Sequence, residues 1–290
     1  VSRTNAGPDE IRTAVLLTHT QPEQTHDGVR AAVAAAERAG CRLFAEPAER
    51  AKHGEAAAGV EPISVLEGEP DLCVVLGGDG TILKALSRYA GTQVPVFAIN
   101  YGTVGFLAAL DPDERDEGLE RAFRGDFQVI SLPALTVDVN GTAVALNDVS
   151  FIRRPHGRVA ELAFTVGGQE VGHVRCDGLV AATPAGSTGY NLANQGPILA
   201  WGVEGYVVSF IAPHTLTARP LVVAPDDVLV VRNAAGRESV DIVVDGEHVA
   251  ELASGAETEV GFRDDMARLA QLPGTNFYQR IYEKFGHLAR

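Results

Sequence analysis

At 290 residues, with 46% hydrophobic and 21% charged side chains, the chain has the make-up of a globular protein of about two domains. A formal net charge of −14 argues against sequence-independent binding to nucleic acid or anionic membranes, which depend on basic patches, and leaves open a small anionic ligand held by a few local donors. Three scattered cysteines, Cys41, Cys73 and Cys176, and the lack of any bilayer-length apolar run or signal pattern point to reduced thiols in a cytoplasmic protein without membrane contact.

The first part alternates strands with helices. Residues 13–19 (TAVLLTH) read as a buried strand and 23–40 as an Ala-rich helix closed by Gly40. CRLFAE (41–46) reads as strand, 48–58 as helix, LCVVL (72–76) as strand, 81–89 as helix and PVFAIN (95–100) as strand. Residues 112–125 form a helical pattern with acidic residues in its first turn, as the macrodipole favours. Alternation of this kind predicts a parallel sheet with helices on its faces, a Rossmann-like α/β domain.

From about residue 127 the period changes. LTVDVNGTAVALNDVSFIRR alternates apolar and polar positions around an Asn140-Gly141 hairpin signal, and Gly167-Gly168 marks a second turn. Short β-branched runs continue to residue 262, predicting an antiparallel β-sandwich. In the tail, Phe277, Ile281 and Phe285 recur every fourth residue, the spacing of one helix face. The expected division is 1–126 plus about 274–290 for the α/β domain and 127–273 for the sandwich.

CVVLGGDGTILKA (73–85) breaks a buried strand with Gly77-Gly78-Asp79-Gly80-Thr81. In open parallel sheets ligands sit beyond the carboxyl ends of the strands, where Asp79 falls. The glycines let backbone N–H groups approach phosphate oxygens, and the following helix adds its positive end. The simpler alternative is a tight βα turn with an N-capping aspartate. Lys84, one of only three lysines, is either a ligand contact or a solvated helix residue. A second glycine turn, INYGTVGFLAAL, places Asn100, Gly102, Gly105 and Phe106 one strand along on the same rim.

In the β half, LNDVSF sets Asn147 and Asp148 side by side within an apolar strand pattern, so one points inward. A buried carboxylate needs donors, which a ribose diol or the amides of a bulge would supply. The block RCDGLVAATPAGSTGYNLANQGPIL carries Asp177, Thr183, Ser187, Thr188, Tyr190 and Asn191 among small residues, a density of hydroxyls and amides suited to a nucleobase and sugar.

With these four clusters in this order, the sequence resembles the NAD kinase family, over roughly residues 71–290. Gly-Gly-Asp-Gly-Thr alone is shared with diacylglycerol, sphingosine and 6-phosphofructo-kinases; the combination with the other three clusters is more specific. PHTLTARPLVV (213–223) and VDGE (244–247) also look like family segments. The resemblance implies phosphorylation of the 2′-hydroxyl of the adenosine ribose of NAD to give NADP. It also implies ATP or polyphosphate as donor, Mg²⁺ or another divalent cation, and a homodimer or homotetramer, with no protein metal ligand assigned. It makes Asp79 the catalytic aspartate, sets Gly77, Gly78, Gly80 and Thr81 in the nucleotide turn, and puts Lys84 near the substrate. Asn147 and Asp148 match an Asn-Glu pair holding NAD hydroxyls. Arg175 and Asp177 match residues that line the site, often from a neighbouring subunit. The turn over 188–193, with Thr188, Gly189, Tyr190, Asn191 and Ala193, matches the adenine-binding turn.

Asp148, Ala185, Gly189 and Glu247 depart from the residues common in the family, which bears on substrate preference more than on fold. Two rivals are another kinase with the same glycine turn, acting on a lipid or sugar phosphate, and a non-catalytic NAD(H)-binding regulator.

Overall fold

A computed structural model describes residues 4–6, 10–102, 105–139, 141–274 and 277–286 of the chain. Asn140 of the first hairpin signal lies outside them. The chain divides into two compact units, residues 2–131 with 267–290 and residues 132–266 with Val1.

The α/β unit contains β1 (Thr4–Ala6), β2 (Thr13–Thr18), α1 (His26–Ala39), β3 (Arg42–Ala45), α2 (Pro47–His53), β4 (Glu61–Pro62), β5 (Leu72–Gly77), α3 (Asp79–Arg88), β6 (Pro95–Asn100) and α4 (Arg115–Phe123). Its parallel sheet runs β6-β5-β2-β3-β4. The chain steps from β2 outward to β3 and then back past β2 to β5, so the order reverses at the β2–β5 junction, where such sheets open a crevice. Every residue of β5 and β6 is buried, as expected of central strands covered on both faces. Val29, Ala32 and Ala36 of α1 share one apolar cluster with Leu119 and Ala122 of α4, the alanines letting the helices approach closely.

Several helix bounds differ from the sequence reading. Pro22 opens a separate 3-10 turn, so α1 starts only at His26. Gly54, at φ 52°, ends α2 at His53, and a 3-10 turn covers 54–57 of the expected 48–58 helix. Residues 112–114 are likewise 3-10 before α4. The helix expected from residue 81 begins at Asp79 itself.

The second unit is built from β7 (Gln128–Asp138, whose residues 128–131 belong to the α/β unit), β8 (Thr142–Ala145), β9 (Asp148–Arg153), β10 (Ala160–Val166), β11 (Gln169–Cys176), β12 (Gly178–Ala182), the one-turn helix α5 (Tyr190–Ala193), β13 (Tyr206–Ile211), β14 (Leu221–Val223), β15 (Leu229–Asn233), β16 (Val240–Val244), β17 (Glu247–Leu252) and most of β18 (Glu257–Gln271). One antiparallel sheet runs β14-β13-β12-β9-β16-β17, and the strands β11-β10-β15-β18 form the other layer. Their inner faces meet in one core that includes Phe151, Leu162, Leu179, Tyr206, Val231 and Val260, which makes the unit a β-sandwich. Gly167 and Gly168, both at positive φ, turn β10 into β11.

The last residues of β18 and a final helix, α6 (Phe277–Phe285), belong to the α/β unit. Arg268–Ala270 pair in parallel with Pro95–Phe97 of β6. Phe277 and Ile281 are buried, and the Phe285 ring lies 5.5 Å from that of Phe106. No helix among the described residues is long and apolar enough to cross a membrane.

Candidate active site

In the α/β unit, Gly77 at the end of β5 is in register with Asn100 at the end of β6, so the two glycine turns leave the same edge of the sheet. They touch back to back. A Cβ on Gly102 would stand 2.9 Å from the Gly78 Cα, which no side chain tolerates. Gly78 is the N-cap of α3, and the Asp79 side chain makes no capping bond to that helix. Its carboxylate instead accepts the Phe106 N–H at 2.9 Å and the Leu107 N–H at 3.2 Å. The aspartate therefore ties one turn to the other, and the N-cap alternative does not hold.

The 105–110 loop that supplies these amides is fixed from behind. Gln271 Nε2 donates to the Leu107 carbonyl at 2.9 Å, and the buried Arg280 guanidinium donates to Phe106 O, Ala109 O and, at 2.6 Å, Gln271 Oε1. Asn100 Oδ1 accepts the Gly102 N–H at 3.0 Å, while its Nδ2 donates to Asp111. Burial raises the Asp79 pKa above the ordinary carboxylate value; the Phe106 and Leu107 amides, then Arg280 and Lys284, oppose that rise. A cavity of about 300 Å³ beside Gly105 is lined by Asn100, Asp111, Glu114, Arg280 and Lys284 among others. Thr81 is half-buried, while Gly80 and Lys84 are exposed on α3.

In the sandwich, Asp245 sits at φ 48° in a two-residue turn with Gly246 between β16 and β17. Its carboxylate accepts the N–H groups of Leu146 (2.8 Å), Asn147 (2.7 Å) and Asp148 (3.0 Å), and so fixes the start of β9. Buried Thr183 clasps the same segment, donating its hydroxyl to Leu146 O at 2.6 Å and its N–H to Asn147 O at 2.9 Å. Gly186 lies so close that a Cβ there would fall 2.0 Å from Asn147 O.

With its amide committed to Asp245, the Asp148 side chain is 7% exposed and accepts no hydrogen bond among the described residues. Burial and the neighbouring Asp245 charge push its pKa up to about 7. Asn147 is half-buried beside it. This carboxylate is largely buried and receives no donor from the described residues.

The hydroxyls and amides of the 183–191 block are turned largely inward. Ser187 Oγ donates to Pro184 O at 2.7 Å and accepts the Leu199 N–H at 2.9 Å, Thr188 Oγ1 donates to Ala185 O, and Asn191 Nδ2 donates to Ser187 O and Pro197 O. These groups shape the turn, and they leave Gly189, Ala193 and the 38%-exposed ring of Tyr190 on the surface. The Tyr190 hydroxyl has its pKa raised by burial and by the charges of Asp148 and Asp177. Asp177 pairs with Arg153 at 2.6 Å. Arg175 is exposed on β11 and lines a different cavity, and Glu247 is exposed at the start of β17.

Three residues carrying this geometry were missed from sequence. Asp245 reads as an ordinary Asp-Gly hairpin turn, and nothing local reveals its three amide partners. Gln271 closes a strand. Arg280 did leave a signal, because helical spacing places it on the face of Phe277 and Ile281, where a solvated arginine does not belong.

The chain matches the models of the ATP-NAD kinase N-terminal domain over residues 37–127 and of the ATP-NAD kinase C-terminal domain over residues 146–270. The NAD kinase of Rhodopirellula baltica is 37% identical over 228 residues, covering 77% of this chain and 73% of that protein. The NAD kinase of Thermobifida fusca is 33% identical over 302 residues, covering 97% and 91%. Among solved structures, yeast NADH kinase complexed with NADH superposes with a TM-score of 0.86 at 21% identity, covering 100% of this chain and 94% of that one. An NAD kinase from Archaeoglobus fulgidus in complex with ATP gives 0.70 at 22% identity, covering 94% and 98%. With both domain models matched in chain order, and relatives a third identical along most of their own length, the chain belongs to the NAD kinase family.

Proposed function

We propose that this chain phosphorylates the 2′-hydroxyl of the adenosine ribose of NAD, giving NADP, with Asp79 as the base that receives the hydroxyl proton. The observation that carries the reading is the Asp79 carboxylate, held at the carboxyl edge of the parallel sheet by two loop amides and not spent on capping its helix. An ionised carboxylate has about four acceptor positions, so two amide bonds leave room for a substrate hydroxyl. Burial strengthens it as a base and the amides weaken it, so the proton passes late, as the bond to phosphorus forms. Positioning and electrostatics then supply most of the acceleration.

The nucleotide turn of Gly77, Gly78, Gly80, Thr81 and Lys84, with Asn100, Gly102 and Phe106, serves this chemistry from the α/β domain. In the sandwich, the unpartnered Asp148 carboxylate and the adjacent Asn147 take NAD hydroxyls, and the exposed Tyr190 ring offers a stacking face for the base. Thr183, Ser187, Thr188 and Asn191 support that surface by shaping its backbone. ATP is the donor supported by the ATP complex of the Archaeoglobus fulgidus relative, and polyphosphate remains a second candidate. A divalent cation such as Mg²⁺ would be held chiefly by the donor's phosphates, because Asp111, Glu114 and Glu283 line the cavity beside Gly105 without forming a three-ligand cluster among the described residues. When bound, it neutralises charge on the donor's phosphates. Three buried thiols support a reducing cytoplasm, and assembly into a homodimer or homotetramer rests on the family resemblance.

The test is NADP formation from NAD and Mg-ATP by the wild type and by Asp79→Asn. Product from the former, with a fall of roughly two decades or more in kcat for the latter, is the expected result. An Asp79→Asn variant that turns over at the wild-type rate would remove Asp79 from the mechanism.

A further inference from the structure

The β16–β17 hairpin carries a mixed nitrogen–oxygen cluster on the outer face of its sheet, where one atom each of Asp241, His248 and Glu251 all lie within 4.8 Å of one another. Strand register explains why the three meet. Asp241 lies directly opposite Glu251, and between Ile242 and Val243 the register slips by one, leaving Val249 as an extra residue. Without that bulge His248 would oppose the inward-facing Val244. With it, His248 opposes Val243 and joins the outer face.

Carboxylates directly opposite each other repel, so a cation between them stabilises the pair. Arg154 reaches only part of the way. Its Nη1 donates to Glu251 Oε2 at 3.2 Å, while its Nε stands 3.8 Å from Asp241 Oδ1, beyond hydrogen-bond reach. His248 Nε2 is likewise 3.6 Å from Asp241 Oδ1. The Asp241 side chain is only 20% exposed, yet it accepts no hydrogen bond among the described residues. Glu251 is anchored by Ser239 Oγ, which donates to Oε2 at 2.8 Å and leaves Oε1 open.

We propose that Asp241, His248 and Glu251 bind a zinc-class divalent cation, with the fourth position open to water. With bonds of about 2.1 Å, two ligand atoms of a tetrahedral Zn²⁺ site stand about 3.4 Å apart. His248 Nε2 and Asp241 Oδ1, at 3.6 Å, already have nearly that spacing. An imidazole beside two carboxylates favours Zn²⁺ over Mg²⁺ and Ca²⁺, which take oxygen ligands. All three cysteines are buried and offer no competing thiolate. Bound there, the cation pins the edge strand β17 to β16, in the hairpin whose turn carries Asp245. Neither the site nor its test depends on the kinase reading, because binding and melting are measured without NADP formation.

The test is calorimetric titration of the untagged full chain, stripped of metal by a chelator, with ZnCl₂ and separately with MgCl₂. The expected result is saturable Zn²⁺ binding that His248→Gln and Glu251→Gln each weaken by about tenfold or more, with Mg²⁺ binding far more weakly than Zn²⁺. Both side chains are exposed, so the variants keep the fold, which their metal-free unfolding midpoints check. Arg154→Gln removes the cation that Zn²⁺ displaces and binds at least as tightly as wild type. At a Zn²⁺ concentration about a hundredfold above Kd, Tm of the wild type rises by about 5 °C, and Tm of His248→Gln by about half that or less. Absence of saturable Zn²⁺ binding overturns the proposal, as does Zn²⁺ affinity within twofold of wild type in His248→Gln. Mg²⁺ binding as tight as Zn²⁺ binding overturns the zinc class. Weaker binding by Arg154→Gln also overturns the proposal, since the guanidinium would then support the site and not compete for its oxygens.

Discussion

Replacing Asp148 by Asn should make the protein more stable and a worse enzyme, and the gain in stability should depend on pH. The carboxylate is 7% exposed, accepts no hydrogen bond among the described residues and faces the charge of Asp245, which together raise its pKa from the ordinary 3.8 to about 7. For a group whose folded-state pKa is raised, the folded protein binds more protons than the unfolded chain between the two values. Stability therefore falls as pH rises from about 4 to 7 and levels off above. At 1.36 kcal/mol per pK unit, the penalty for holding the ionised group in the fold approaches about 4 kcal/mol at pH 8 and shrinks to about half a kcal/mol at pH 4.

Asparagine keeps the shape and removes the charge. Asp148→Asn should raise Tm by up to about 8 °C at pH 8, taking about 2 °C per kcal/mol for a chain of this size, and by about 1 °C at pH 4. Calorimetric melts of both proteins at the two pH values check this. KM for NAD should rise roughly tenfold or more at pH 8, because hydrogen bonds from the ribose hydroxyls to an ionised acceptor are lost. Equal melting temperatures at pH 8 would refute the claim that the fold leaves this carboxylate without donors; an unchanged KM would refute its assignment to the ligand.

Two further substitutions probe the supports of the site. Asp245→Ala strands three amides at the start of β9 and should destabilise the sandwich by roughly 3 kcal/mol or more, read from denaturant melts; a loss below about 1 kcal/mol would mean that water replaces the acceptor. Arg280→Met keeps a long apolar stem but frees the Phe106 and Ala109 carbonyls, so kcat should fall about tenfold with KM for NAD within threefold, and Arg280→Lys should recover part of it. A Met variant with wild-type kcat would show that the 105–110 loop holds Asp79 without Arg280.

Much of this was legible in the sequence where a single local rule decides. Strand–helix alternation defined the α/β part, and unbroken apolar runs marked β5 and β6 as central strands. Period-two runs divided by Asn-Gly and Gly-Gly turns announced the sandwich. Gly78 and Gly102 were noted as turn formers, and their deeper reason, contact between the two turns, depends on strand register that no local pattern encodes. The same limit explains the site. Polar density in the 183–191 block suggested ligand contacts, yet hydroxyls of Ser187 and Thr188 close hydrogen bonds three residues back, a use that composition does not distinguish from ligand binding.

The three aspartates show why residue type alone could not rank the site. Asp245, Asp79 and Asp148 all have pKa values raised by burial. They differ in how many donors the fold supplies. Asp245 receives three amides, which stabilise its charge and leave it a structural anchor. Asp79 receives two from a loop braced by Gln271 and Arg280, enough to orient a carboxylate while keeping acceptor positions for a hydroxyl. Asp148 receives none among the described residues, so its ionised form is the least compensated of the three, and a ligand hydroxyl would stabilise it as the proposed role requires. Donor count, set by folding and invisible to spacing, separates the anchor Asp245 from the proposed base Asp79 and the proposed ligand contact Asp148.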